Sequence, residues 1–166
     1  RAPKHGLRIG AQGEVDEANA CIGLSRIHVQ DAGLNAMLAR VQNDMFDLGA
    51  DVSMPWDDSA AGQLRIVPAQ IARLESEVDA LNAKLPALRS FVLRGGTPAG
   101  AHLHFACTVV RRAERAVAAL AASEAMNPCV LIYLNRLSDL LFVMARTAND
   151  GGAADVTWRP GLTAEP

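Results

Sequence analysis

Two runs of this chain carry the side chains best suited to chemistry: Arg111-Arg112-Ala113-Glu114-Arg115 and Asn135-Arg136-Leu137-Ser138-Asp139. The first interrupts an Ala/Val stretch. The second lies between Leu131-Ile132-Tyr133-Leu134 and Leu140-Leu141-Phe142-Val143. Charges flanked this closely by apolar residues are expected to be partly desolvated, which is costly unless something pairs with them. Arg111, Glu114 and Arg115 stand at i, i+3 and i+4 and therefore share one helical face. Two guanidiniums and a carboxylate on one face suit a phosphorylated ligand, because Arg offers a planar fork of donors to phosphate oxygens. The same residues also fit an internal salt-bridge network locking two helices together, and on local pattern alone that structural reading has the edge.

Other chemistries find less support. A di-iron bundle needs Glu-x-x-His pairs, and none occurs. His102 and His104 sit two apart, so on a helix they diverge; His104 reads as a partly buried hydrogen-bonder. There is no Walker-type Gly-x-x-x-x-Gly-Lys, Gly95-Gly96 alone is weak evidence for phosphate binding, and no Ser-His-acid set can be assembled. The 166 residues are half hydrophobic with a formal net charge of -2, which fits one globular domain over 1–166 and gives no electrostatic case for nucleic acid. Charges break the longest apolar stretches, so no membrane span is expected, and no apolar leader segment opens the sequence. Cys21, Cys107 and Cys129 lack Cys-x-x-Cys spacing and read as reduced thiols. The expected compartment is the cytoplasm, or the mitochondrial matrix if the host is a eukaryote.

The elements that must position these residues read as helices throughout. The first is expected over 14–29, broken by Gly33, and the second over 34–52 with the stripe Leu34, Leu38, Val41, Met45, Leu48 and Val52. A loop over 53–67 leads to a third helix opened by Pro68 and ended by Pro86, carrying Ile71, Leu74, Val78, Leu81 and Leu85. The fourth is expected over 99–123 behind Gly95-Gly96-Thr97-Pro98, and the fifth from Asn127-Pro128 to about Thr147, stopped by Asn149-Asp150-Gly151-Gly152. A tail over 150–166 has turn chemistry and one large anchor, Trp158. The fold class is all-α, an antiparallel helical bundle with Ala, Leu and Val in close packing.

Gly13-Glu14-Val15-Asp16-Glu17-Ala18-Asn19 with Ile22-Gly23 resembles the G-x-x-D-E-x-N-x-x-I/V-G opening of the propanediol-utilisation type of ATP:cob(I)alamin adenosyltransferase. Phe91-Val92-Leu93-Arg94-Gly95-Gly96 is similar to that family's F-I-L-P-G-G. The two charged runs, the second extended to Tyr133–Phe142, resemble its two longest motifs, and Trp158-Arg159-Pro160 its usual tail. The resemblance implies a five-helix bundle with ferritin-like up-and-down packing, assembled as a homotrimer with active sites between subunits. It implies transfer of the 5′-deoxyadenosyl group of ATP to the cobalt of a reduced corrinoid, giving adenosylcobalamin and triphosphate. Cobalamin is then substrate and product, Mg2+ accompanies ATP, and K+ is a further candidate cation. A flavin reductase would supply the reduced cobalt, and a cobalamin-dependent mutase or dehydratase would receive the product.

On the same resemblance, Arg111 and Arg115 would neutralise triphosphate, Glu114 would contact the nucleotide or its cation, and Asn135 would hydrogen-bond ATP. Asp139 would orient the arginines or line the corrinoid side. Phe91 would occupy the lower face of cobalt, and Asp16 would face the corrinoid at the subunit contact. Each has a plainer reading: Phe91 as core, Asp139 paired with Arg136 or Arg112, Asn135 and Asp16 as local helix supports. The family's N-terminal T-x-T-G-D-x-G-x-T loop, which wraps the ATP phosphates, has no counterpart in these residues. Arg94 replaces the loop proline, and Cys107 replaces the first arginine of A-R-T-x-x-R-R-A-E-R, the family's partner for the aspartate matched by Asp16. Cys107 at the corrinoid side is therefore expected to impair activity, and Cys107→Arg to improve it. The competing class is a non-catalytic bundle, a corrinoid carrier or oligomeric adaptor that keeps the scaffold.

Overall fold

The computed structural model describes residues 3–56 and 62–164, so part of the expected 53–67 loop lies outside the described residues. The described residues form five helices: α1 (Leu7–His28), α2 (Ala32–Ser53), α3 (Pro68–Asn82), α4 (Pro98–Ala121) and α5 (Pro128–Ala148). Among the described residues the one β-type pairing is a single antiparallel bridge between Val92 and Thr157. The helices run up, down, up, down, up. Arg8 near the start of α1 donates to the carbonyl of Val52 at the end of α2, and Asn127 before α5 donates to Asp51 near that same end. At the other end Thr97, before α4, meets Ala148 at the close of α5. In space α4 lies between α1 and α5, α2 packs on α1 and touches α5, and α3 lies against α5.

Local chemistry explains the boundaries, including those that differ from expectation. Helix α1 starts seven residues before Glu14; Ala11 and Val15 are fully buried, so packing outweighs the helix-weakening Gly10 and Gly13. Gly33 does not break the chain but sits in the first turn of α2, because Asp31 caps that helix by accepting from the Leu34 amide at 2.8 Å. Helix α3 ends at Asn82, before Pro86, in a turn closed by Lys84 and Leu85 amides. Thr97 and Asn127 cap α4 and α5 with Pro98 and Pro128 at the first helical positions. Asp150, Gly151 and Gly152 all take positive φ and stop α5.

Leu38, Val41, Leu48, Leu103, Val110, Leu134, Leu137 and Leu141 are among the fully buried core residues, each stabilising the fold by about 1.5–3 kcal/mol relative to exposure. By length and apolar content α5 would suit a bilayer despite Arg136 and Asp139, but 56% of its apolar window is buried inside the bundle. A polar cluster crosses this core: Tyr133 on α5 donates to Asp44 on α2 at 2.7 Å, and Arg73 on α3 pairs with the same carboxylate.

A second polar hub fixes the approach to α4. Asn149 accepts from the Thr97 amide at 2.9 Å and donates to the Gly95 carbonyl at 3.0 Å and to Asp155 at 3.2 Å. Gly96, with φ 105, and Gly100 leave room for that amide; a Cβ at Gly100 would stand 2.0 Å from its oxygen. The 91–97 segment is thereby welded to the end of α5.

Candidate active site on the α4–α5 seam

Helical spacing puts Arg111, Glu114 and Arg115 on the face of α4 that meets Asn135 and Asp139 of α5. Asn135 donates through Nδ2 to Glu114 Oε1 at 2.9 Å, and Arg136 donates through Nη2 to Asn135 Oδ1 at 2.7 Å. The same Arg136 nitrogen lies 3.2 Å from Asp139 Oδ2. This chain of contacts fixes which way the Asn135 amide points. Glu114 Oε2 keeps no hydrogen bond among the described residues.

The arginines behave otherwise. Arg115 donates to the Arg111 carbonyl at 3.1 Å, and neither Arg111 nor Arg115 has a carboxylate within ion-pair distance among the described residues. Both are exposed at a depression of about 400 Å³ that they line with Glu114, Ala118 and Leu131. The expected desolvation therefore does not occur within the chain, because their long side chains leave the apolar stretch for solvent. Helix-locking ion pairs belong to Arg112 instead, which reaches Glu14 at 2.5 Å and also Glu17 on α1, so it is not the partner of Asp139.

Phe91 is 77% exposed and is not core. It is held by its backbone: the Trp158 amide donates to the Phe91 carbonyl at 2.8 Å and the Leu93 amide to the Val156 carbonyl at 2.7 Å. Trp158 meets its ring edge-on at 5.9 Å. The sequence anchor Trp158 thus serves the 91–93 segment. Arg146 and Asp155, only 5% and 4% exposed, pair at 2.8 Å and pin the tail.

Asp16 lies elsewhere, exposed on α1 in a depression of about 510 Å³ between α1 and α2, near Val15, Met45 and Phe46. It has no ion-pair partner among the described residues. Cys107 is 2% exposed, and its thiol donates to the Ser138 carbonyl at 3.2 Å. Burial pushes this thiol's pKa up, while the nearby Arg94 and Arg111 pull it down. The chain therefore links Glu114, Asn135 and Asp139 through Arg136 and sets Arg111 and Arg115 beside Glu114. It keeps Asp16 apart and hides Cys107.

Of the two pairings the sequence allowed for Asp139, the structure has Arg136; what sequence reasoning missed is the further contact of Arg136 with Asn135, which depends on rotamers. Arg94 was visible as a departure. Its guanidinium folds back onto α4, with Nη1 3.2 Å from His104 Nδ1 and 4.0 Å from Cys107 Sγ.

Comparison with known proteins agrees with this fold. Residues 1–148 match the family described as Cobalamin adenosyltransferase. The corrinoid adenosyltransferase of Mycobacterium leprae is 48% identical over 170 residues, covering 97% of this chain and 87% of that protein. That of Bacillus subtilis is 37% identical, covering 95% and 83%. Among solved structures, a phenylalanine-to-alanine variant of the PduO-type ATP:corrinoid adenosyltransferase from Lactobacillus reuteri, complexed with cobalamin and ATP, superposes with a TM-score of 0.88 at 34% identity, covering 95% of this chain and 89% of that one. The depression on the α4–α5 seam thus sits in a bundle shared with these proteins, and the chain belongs to the cobalamin adenosyltransferase family, PduO type.

Proposed function

We propose that this protein transfers the 5′-deoxyadenosyl group of ATP to the cobalt of a reduced corrinoid, forming adenosylcobalamin and releasing triphosphate. The observation that carries this reading is the pair of uncompensated guanidiniums, Arg111 and Arg115, beside the fixed amide of Asn135. In the reaction the electron pair of one-valent cobalt forms the bond to C5′, and the electrons of the C5′–O bond leave with triphosphate. The nucleophile belongs to the corrinoid, so the protein supplies position, charge compensation and exclusion of water. Arg111 and Arg115 meet the charge that grows on the leaving group. Asn135 holds the nucleotide, and the Glu114 oxygen that makes no hydrogen bond among the described residues suits the Mg2+ that travels with ATP, with K+ as a further candidate cation.

Asp139, tethered by Arg136, and exposed Phe91 form the corrinoid side. An exposed phenylalanine is costly to leave in water and suits a ring held against the lower face of cobalt. Asp16 completes the site from a neighbouring copy in a homotrimer. A flavin reductase upstream and a corrinoid-dependent mutase or dehydratase downstream fit the chemistry of substrate and product.

Mixing the protein with ATP and chemically reduced cobalamin should release triphosphate and form a carbon–cobalt bond in equal amounts. Corrinoid retention with neither product would establish the carrier reading instead. Phe91→Ala should slow the reaction with complete cobalamin about tenfold more than with a corrinoid lacking its lower base, a differential of ~1.4 kcal/mol. Equal losses on both substrates would mean the ring serves packing. Sedimentation equilibrium should give a three-chain mass at micromolar concentration; a one-chain mass would remove Asp16 from the site.

A further inference from the structure

Among the described residues, Arg94 has no counter-ion within ion-pair distance. Its guanidinium carbon sits 5.4 Å over the Phe142 ring, and its Nη1 lies 3.2 Å from His104 Nδ1 and 4.0 Å from Cys107 Sγ. All three neighbours are neutral. Burial, aided by the Arg94 charge, lowers the pKa of His104, which is 0% exposed. Facing an arginine N–H, His104 Nδ1 accepts, so Nε2 carries the ring proton. Among the described residues no carboxylate stands within ion-pair distance of Arg94, although Asp139 lies near enough to Cys107 to act on its thiol. The aromatic face and the imidazole hold the cation in place without neutralising it.

The place where it is held is informative. Cys107 is one helical turn before Arg111, so Arg94 reaches from the loop to the α4 level at which the helix itself carries only a short, buried thiol. Across the bundle, Asp16 is an exposed carboxylate without an ion-pair partner among the described residues, at the rim of a depression whose neighbour Phe46 is 72% exposed. Arg94 and Asp16 are thus a cation and an anion on separate surfaces, each without an ion-pair partner among the described residues. A second copy can satisfy both.

We infer that Arg94 supplies, from the loop, the guanidinium that α4 lacks at Cys107, and that its counter-ion is Asp16 of a second copy of this chain at the subunit contact. The two departures from the family pattern, Arg94 and Cys107, are then one exchange. The cation has moved from helix to loop, and the buried thiol has made room for it. This rests on the trimeric reading above and gives it a residue pair specific to this chain. It also reverses the expectation that Cys107→Arg alone improves the enzyme, because that substitution would set two guanidiniums against each other and displace the thiol's contact with Ser138.

A double-substitution cycle tests this on the full chain, read by the subunit dissociation constant in sedimentation and by cobalamin affinity from its absorption spectrum. Arg94→Pro, with Arg94→Ala as a control for loop effects, should weaken both about tenfold. Asp16→Asn should do the same, and Arg94→Ala with Asp16→Asn should be no worse than either alone. Cys107→Arg should give no gain alone but should restore both quantities in the Arg94→Pro protein. Additive losses, or a gain from Cys107→Arg alone, would overturn the exchange. Wild-type turnover is a separate readout: its absence would remove the proposed activity, while the dissociation constants would still decide the pairing.

Discussion

Replacing both Arg111 and Arg115 by alanine should lower ATP affinity and kcat/KM by two orders of magnitude or more while leaving the melting temperature nearly unchanged. The two halves of this result come from one geometric fact. Neither guanidinium has an ion-pair partner among the described residues, and both are exposed, so the folded chain loses almost nothing when they go. A charge-assisted contact to phosphate is different: each is expected to contribute about ten- to a hundredfold. Asn135 remains tied to Glu114 and Arg136, so the amide should keep its orientation in the variant. Titration calorimetry with ATP and a thermal melt read the two quantities separately. A large drop in melting temperature with unchanged ATP affinity would return these residues to the structural role that the local sequence pattern favours.

The largest stability effect should come from Asp155→Ala. Arg146 and Asp155 side chains are both almost wholly buried, so removing the carboxylate leaves a guanidinium whose one remaining partner among the described residues is the Pro86 carbonyl. Breaking a buried pair on one side costs about 3–5 kcal/mol. In a domain of this size that corresponds to a melting temperature lower by roughly 6–20 °C. The combined Arg146→Met, Asp155→Leu protein should recover much of this loss, since removing both charges removes the unpaired one. A fall of less than about 2 °C for Asp155→Ala would show that water reaches Arg146 and compensates it. The effect should extend to function, because Asp155 also accepts from Asn149 and the tail it pins carries the backbone partners of Phe91 and Leu93.

The helices were legible because their apolar spacing is regular and their ends carry Pro, Asn, Thr and Gly chemistry. Pro98 and Pro128 mark the starts of α4 and α5 within a residue. The beginning of α1 was not legible: glycines at 10 and 13 weaken a local signal that burial of Ala11 and Val15 overrides. The charged runs on α4 and α5 pointed to the candidate site, but not to its contacts. Whether Arg112 or Arg111 turns inward depends on where Glu14 and Glu17 stand on a helix nearly a hundred residues away. The need for Gly100 was equally hidden, since it follows from the position of Asn149. Arg94 and Cys107 each looked like an isolated departure, and only the fold of the Gly95–Gly96 turn brings them together.

The seam has a consequence for the order in which the molecule assembles. Glu114 and Asn135 are 21 residues apart on one α4–α5 hairpin, so closing that contact confines little chain. The link between Ser90 and Trp158 spans 68 residues and depends on α5 having already turned back at Asn149. The nucleotide half should therefore form with the hairpin, and the Phe91 half should form last and open first. Local opening of the tail would expose the Leu93 and Trp158 amides to exchange at lower free energy than amides in the middle of α4. The Phe91 side, proposed for the corrinoid, can then loosen while the groups proposed for ATP stay in register.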